Sequence, residues 1–160
     1  MSSAVMDDAK TVTMESKHSP DFTITVNTTP KVTHIKCHKR HLVVHSEYFD
    51  TLISDTNTDT ITLPGTFNKK IDSLIKYIQC LYVCPHILLQ LYDVYDTAEH
   101  AAYFVDEYMM SICDSYIISD VNRKLHINGG GLCSAYRYAV QYKRNRVSEA
   151  ILNNYFFTPK

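Results

Sequence analysis

Between Asp21 and Asn27 the apolar residues Phe22, Ile24 and Val26 alternate with Thr23, Thr25 and Asn27, the two-residue period of a strand with one buried face. The run Asn27 to Pro30 predicts a turn, and a second strand over about Val32 to Lys36 completes a hairpin. From His41 the period changes. Leu42, Phe49, Leu52 and Ile53 return to one face of a helix, with Val44 and Tyr48 on its flank, and the polar run SDTNTDT ends it as a loop. The segment TITLP then predicts a third strand, stopped at Pro64-Gly65. Asn68 is placed to cap a helix whose Ile71, Leu74, Ile75, Ile78, Leu81 and Tyr82 follow helical spacing up to Pro85.

Further along, HILLQL is short enough to predict a buried strand. Asp93 is positioned to cap a helix burying Val94, Ala98, Ala101 and Ala102, and Asp106 another burying Met109, Ile112, Cys113, Tyr116 and Ile117. Asn128-Gly129-Gly130-Gly131 holds three of the chain's four glycines and predicts the main internal boundary. Beyond it, Leu132, Ala135, Tyr136 and Ala139 define one helix, and Val147, Ile151, Leu152 and Tyr155 or Phe156 another. The segments Ala101 to Cys113 and Ala139 to Ile151 share one spacing, helix, short turn, helix; two instances do not make a repeat architecture.

Residues 1–20 are polar, carry mixed charge and show no sustained period, which predicts a flexible N-terminal tail or a loosely docked arm. The remaining chain divides into an α/β (α+β) unit over 21–119, a small sheet covered by helices, and a linker with a helix pair over 120–160. With 160 residues, 45% of them hydrophobic, the chain can bury a core without disulfides or metal. Sixteen Lys and Arg against seventeen Asp and Glu provide no field to gather nucleic acid or an anionic membrane. Five unevenly spaced cysteines fit reduced thiols, and no stretch has the length of a membrane span or signal-peptide core. The expected location is the cytoplasm, with the nucleus as alternative.

Candidate chemistry is sparse. His38, His41 and His45 stand at i, i+3 and i+7, so that a continuous helix would align them as zinc ligands, yet no HExxH pattern or matching carboxylate accompanies them. Cys80, Cys84 and His86 offer a second cluster, but the thiols share a helix face with apolar residues and read as buried structural groups. No local nucleophile and base stand together, and no Lys-Ser or Lys-Thr follows the glycines as a phosphate loop requires. Arg137, Lys143, Arg144 and Arg146 form a small basic patch, and Arg123-Lys124 a lesser one; both fit solvated helix ends. Twelve tyrosines with no tryptophan favour protein interfaces, which gain contact area with a polar tip. No cofactor is expected, and the protein is expected not to be an enzyme.

Taken in order, DFTITV, the second strand, CHKRHLVVHSEYFDTLI, ITL, FNKKIDSLIKYIQCLY, AEHAAYF and SICDSYI resemble a BTB/POZ domain over Asp21 to about Ser119. The family pattern falls on Asp21 opening the first strand, His38-Lys39 leading into a helix, Ser46 with Tyr48-Phe49, and Tyr82 closing the next long helix. Cys37 departs from the usual small residue, and Val83-Cys84 from the usual Thr-Gly. The segment AYRYAVQYKRNRVSEAILNNYFF resembles the opening helix pair of a BACK region, and short chains of this kind resemble those of large DNA viruses.

The resemblance implies a non-enzymatic interaction module that pairs with itself or another BTB protein through Asp21, Phe22 and Ile24. It further implies an adaptor or decoy for a cullin-based ubiquitin ligase, with Tyr48, Leu52, Ile53, Asp55 and Tyr82 as the cullin-type contact. Ile53-Ser54-Asp55 stands near the family's hydrophobic-x-Glu element, with Ile53 expected at the contact and Leu52 expected to face the core. A structural or transcription-linked dimerisation module without a ligase role is the runner-up. A small metal-dependent enzyme using His38, His41 and His45 is the third reading.

Overall fold

The computed structural model describes residues 9–27, 31–83, 94–123 and 131–155. The chain divides into two compact units, Met1–Cys84 and Pro85–Lys160. The division therefore does not fall at the Asn128–Gly131 run that the glycines suggested. The reason lies in the packing of the second unit, where the helices before and after that run lie against each other.

In the first unit a mixed sheet is built from β1 (Lys10–Thr13), β2 (Phe22–Asn27), β3 (Val32–Cys37) and β4 (Thr60–Leu63), in the order β1-β3-β2-β4. The hairpin pairs antiparallel with Ile24 opposite Ile35, while β4 lies parallel to β2 with Ile61 opposite Ile24. Phe22, Ile24 and Val26 are buried, as their alternation requires. Of the tail or docked arm expected over 1–20, the described end is docked, as a strand and not loosely. β1 lies parallel to β3, with Val12 opposite Ile35, and the buried Met14 donates its backbone N–H to the Lys36 carbonyl at 2.9 Å.

Two helices follow where one was expected: α1 (Lys39–His45) and α2 (Glu47–Thr56). Ser46 separates them in extended backbone: its N–H donates to the Leu42 carbonyl at the end of α1 and its hydroxyl accepts from Phe49 N–H at 3.2 Å, so one residue ends one helix and starts the next. Asn57 closes α2 in the left-handed region at φ 48°, which places the first half of SDTNTDT in the helix. Leu42 and Phe49 are buried, and the rings of Phe22 and Phe49 meet edge to face at 6.0 Å. Burying each such side chain contributes about 1.5–3 kcal/mol over leaving it exposed.

Asn68 does not cap a helix. It lies within a 3-10 helix, Gly65–Lys70, and α3 (Ile71–Cys80) starts directly from it with Lys70 at the cap position and no side-chain cap. Leu74, Tyr77, Ile78 and Cys80 form the buried face of α3, and Leu81 follows them into the core. The HILLQL segment, Asp93 and the glycine run through Gly130 lie outside the described residues.

The second unit holds α4 (Val94–Tyr103), α5 (Glu107–Arg123), α6 (Gly131–Gln141) and α7 (Asn145–Tyr155). The two hairpins α4/α5 and α6/α7 turn in the same way. Asp106 N–H donates to the Ala101 carbonyl at 2.8 Å, and Arg144 N–H to the Ala139 carbonyl at 2.8 Å, with Val105 (φ 51°) and Lys143 (φ 54°) just before them in the left-handed region. The shared spacing in the sequence is thus one turn geometry used twice. Val94, Ala98, Ala101, Met109, Ile112, Cys113 and Ile117 are buried, whereas Ala102 and Tyr116 are half-buried. Tyr136 and Leu152, expected in the core, are exposed at 61% and 43%; Tyr138 and Ala150 take the buried positions.

Candidate functional site

The junction from β3 into α1 gathers most of the polar residues that the sequence singled out. Asp21 Oδ1 accepts the Lys39 backbone N–H at 2.8 Å, so a carboxylate meets one of the orphan donors at the start of α1. The Lys39 ammonium pairs with Asp59. His38 is buried, and its ring Nε2 lies 2.8 Å from the His18 carbonyl, which can only accept. In the neutral ring this leaves Nδ1 to accept from the Tyr82 hydroxyl, also at 2.8 Å. The Tyr82 oxygen in turn accepts the His38 backbone N–H at 2.8 Å. One phenol thereby fixes both the ring and the main chain of a residue 44 positions away.

His41 stacks on Tyr82 at 4.0 Å between ring centroids. Burial, then the neighbouring Arg40 and His38, lowers the His41 pKa from its ordinary 6.5. Burial likewise raises the Tyr82 phenol, and burial with Asp21 nearby pushes the Cys37 thiol up to about 12. Both ring nitrogens of His38 are engaged by Tyr82 and His18, so the aligned histidines do not converge as a ligand set. Among the described residues no group of three or more His, Cys, Asp or Glu is arranged to hold a metal. The third reading, zinc held by His38, His41 and His45, gains no ligand group there.

The expected contact residues fall in two groups. Tyr48, Leu52 and Asp55 are spaced i, i+4, i+7 along α2 and share a face; Tyr48 and Leu52 are half-buried and Asp55 exposed. Ile53 sits on the flank beside the buried Phe49 and, two positions from Asp55, points roughly 200° around the helix from it. Ile53 and Asp55 therefore lie on different sides of α2, and Leu52, expected in the core, is half-buried like Ile53. Tyr82 serves the junction.

Phe22 and Ile24, expected at a pairing surface, are 2% and 0% exposed within the single chain, and β2 is hydrogen-bonded to β3 and β4 on its two edges. Asp21 alone of that set is exposed.

The second unit carries features that sequence reasoning missed. Asp114 is buried and accepts from the Tyr138 hydroxyl at 2.6 Å and from Arg144, which also reaches Glu107. Burial, then the bond to Asp114, raises the Tyr138 phenol; the bonds to Glu107 and Asp114 raise the Arg144 guanidinium. Between α6 and α7 lies an apolar groove of about 380 Å³ lined by Leu132, Cys133, Tyr136, Ile151 and Leu152. A signal for the groove was present: Leu132, Cys133 and Tyr136 recur at helical spacing on a stripe beside the one that buries Ala135 and Ala139.

A fold of a small mixed sheet with covering helices, whose polar junction is occupied by hydrogen bonds that tie elements together, defines a scaffold that presents surfaces. A profile of the BTB/POZ domain matches residues 11–121, and the chain belongs to that family of protein-interaction domains, which is generally non-enzymatic. A comparison with curated proteins found no match. The matched span begins in β1, inside the segment expected to be a tail.

Proposed function

We propose that this protein self-associates and serves as an adaptor or decoy on a cullin-based ubiquitin ligase, with α2 as the docking element and the helices after residue 120 as a BACK-like extension. The observation that carries the reading is the face of α2 on which Tyr48, Leu52 and Asp55 align, an aromatic and an aliphatic anchor beside an exposed acid. Apolar anchors at the centre of a contact supply most of its energy, and a rim acid sets orientation. Ile53 contributes from the adjoining flank. Self-association uses the sheet edge at β1 and the exposed Asp21 with α1, since β2 is enclosed.

Titration calorimetry of the purified chain against the N-terminal domain of the third cullin tests the docking. Tyr48→Ala is expected to cost about 1–3 kcal/mol of binding and Asp55→Ala less, as a solvent-screened charge does. Absence of binding at about tens of micromolar overturns the ligase role. A plain dimerisation module then takes its place, provided sedimentation shows a concentration-dependent dimer.

A further inference from the structure

The first unit holds an exposed run, residues 15–21, between the buried Met14 and the buried Phe22. Its first half is anchored on both sides. Met14 donates its backbone N–H to the Lys36 carbonyl at 2.9 Å, and the His18 carbonyl lies 2.8 Å from His38 Nε2. Ser16 stands midway between these anchors, which fix its place beside α1. Its oxygen accepts Arg40 Nη2–H at 3.0 Å and the His18 backbone N–H at 3.4 Å.

The charges around that oxygen favour an anion. Arg40, in α1, makes no ion pair among the described residues, and the hydroxyl it meets is neutral. Lys17 adjoins, exposed and likewise without an ion pair among the described residues. Of the two carboxylates in the run, Asp21 already accepts the Lys39 backbone N–H, and Glu15 is exposed to solvent, where salt screens its repulsion. Ser19, three positions on, is exposed too but makes no hydrogen bond among the described residues.

We propose that Ser16 is a phosphorylation site and that Arg40 is the receptor for its phosphate. A protein kinase moves the γ-phosphoryl group of a nucleoside triphosphate to Ser16. The bond from Oγ to phosphorus forms and the bond from phosphorus to the β-phosphate's bridging oxygen breaks; the hydroxyl proton passes to the kinase's base, and the nucleoside diphosphate leaves. The neutral hydrogen bond then becomes a charge-assisted pair, in which the guanidinium fork fits two phosphate oxygens at once. The arm is thereby fastened to α1, and β1 with it to β3. The site stands independently of cullin docking. His41 reports the change: burial, then Arg40, holds its pKa below 6.5, and a phosphate that offsets Arg40 raises it.

The test uses the full chain in two forms. Expressed in cultured eukaryotic cells and mapped by mass spectrometry, it should carry phosphate on Ser16. Made with phosphoserine inserted at position 16 during translation, it is titrated by phosphorus NMR. The phosphate midpoint should lie about 0.5–1 unit below its ordinary value of about 6. The His41 ring should titrate higher than in the unmodified chain, and amide exchange across β1 should slow. Arg40→Gln, at an exposed position, should return the phosphate midpoint to its ordinary value, and phosphoserine placed at position 19 instead should show no lowering. Absence of phosphate from Ser16 in the cellular protein, a midpoint that Arg40→Gln leaves unchanged, or an equal lowering at position 19 overturns the proposal.

Discussion

Arg144 meets Asp114 edge-on: Nε lies 3.1 Å from Oδ1 and 2.9 Å from Oδ2, and Nη2 lies 2.6 Å from Oδ2. The pair joins the turn between α6 and α7 to the middle of α5, and the Tyr138 hydroxyl donates to the same carboxylate. Asp114→Ala leaves the Arg144 guanidinium with only the exposed Glu107 and the buried Tyr138 hydroxyl without its acceptor, and should destabilise the chain by about 2–4 kcal/mol in urea denaturation. The double variant Asp114→Ala/Arg144→Met should lose clearly less than the sum of the single losses, because neither charge is then left alone.

Tyr82→Phe removes the oxygen that accepts from His38 N–H and leaves that buried donor without its partner. A loss of about 1–3 kcal/mol is expected from thermal or chemical denaturation. An effect within error would show that water replaces the phenol at the junction.

The His41 shift fixes the sign of an acid dependence. Its folded pKa is depressed below 6.5, so the unfolded chain binds the proton more readily. The stability linked to His41 is complete above about pH 6.5 and is lost as pH falls through the depressed value. His41→Gln should flatten the urea-midpoint profile below pH 6.5, and an unchanged slope would exclude His41 as its source.

The four described cysteines should separate by reactivity. Cys133 is exposed, whereas Cys37, Cys80 and Cys113 are buried, and the Cys37 thiol is raised to about 12. Alkylation at neutral pH, read by mass spectrometry, should label Cys133 in the native protein and the buried three only on unfolding.

Val105 holds a φ of 51°, costly for a β-branched residue. Val105→Gly should raise stability by about 1 kcal/mol, relief of strain outweighing the greater freedom of glycine when unfolded. The equivalent Lys143→Gly tests whether the matching turn behaves alike.

Local regularity was legible wherever one face of an element is buried. The alternation of Phe22, Ile24 and Val26 marks β2, and the Ser46-x-Tyr48-Phe49 pattern, which resemblance singled out, has its physical basis in the Ser46 cap on α2. β1 was not legible, because an edge strand offers a single apolar residue, Val12, and is held by backbone pairing with β3. The α6 helix misled because apolar residues lie on both of its faces; Tyr138 faces inward and Tyr136 outward. Of the candidate site, the sequence pointed to His38, Lys39, Asp21 and Tyr82 but not to their arrangement. The Asp114 network joins residues 24 and 30 positions apart, and no local spacing encodes such a meeting.

The parallel pairing of β2 with β4 bears on how the protein is made. As the chain leaves the ribosome, the β2/β3 hairpin is complete once Cys37 has emerged, but Phe22, Ile24 and Val26 stay open to water until α1, α2 and β4 have followed. For that interval the nascent chain displays an apolar sheet face with an unfilled edge, the kind of surface that chaperones cover and that seeds aggregation when synthesis outpaces them.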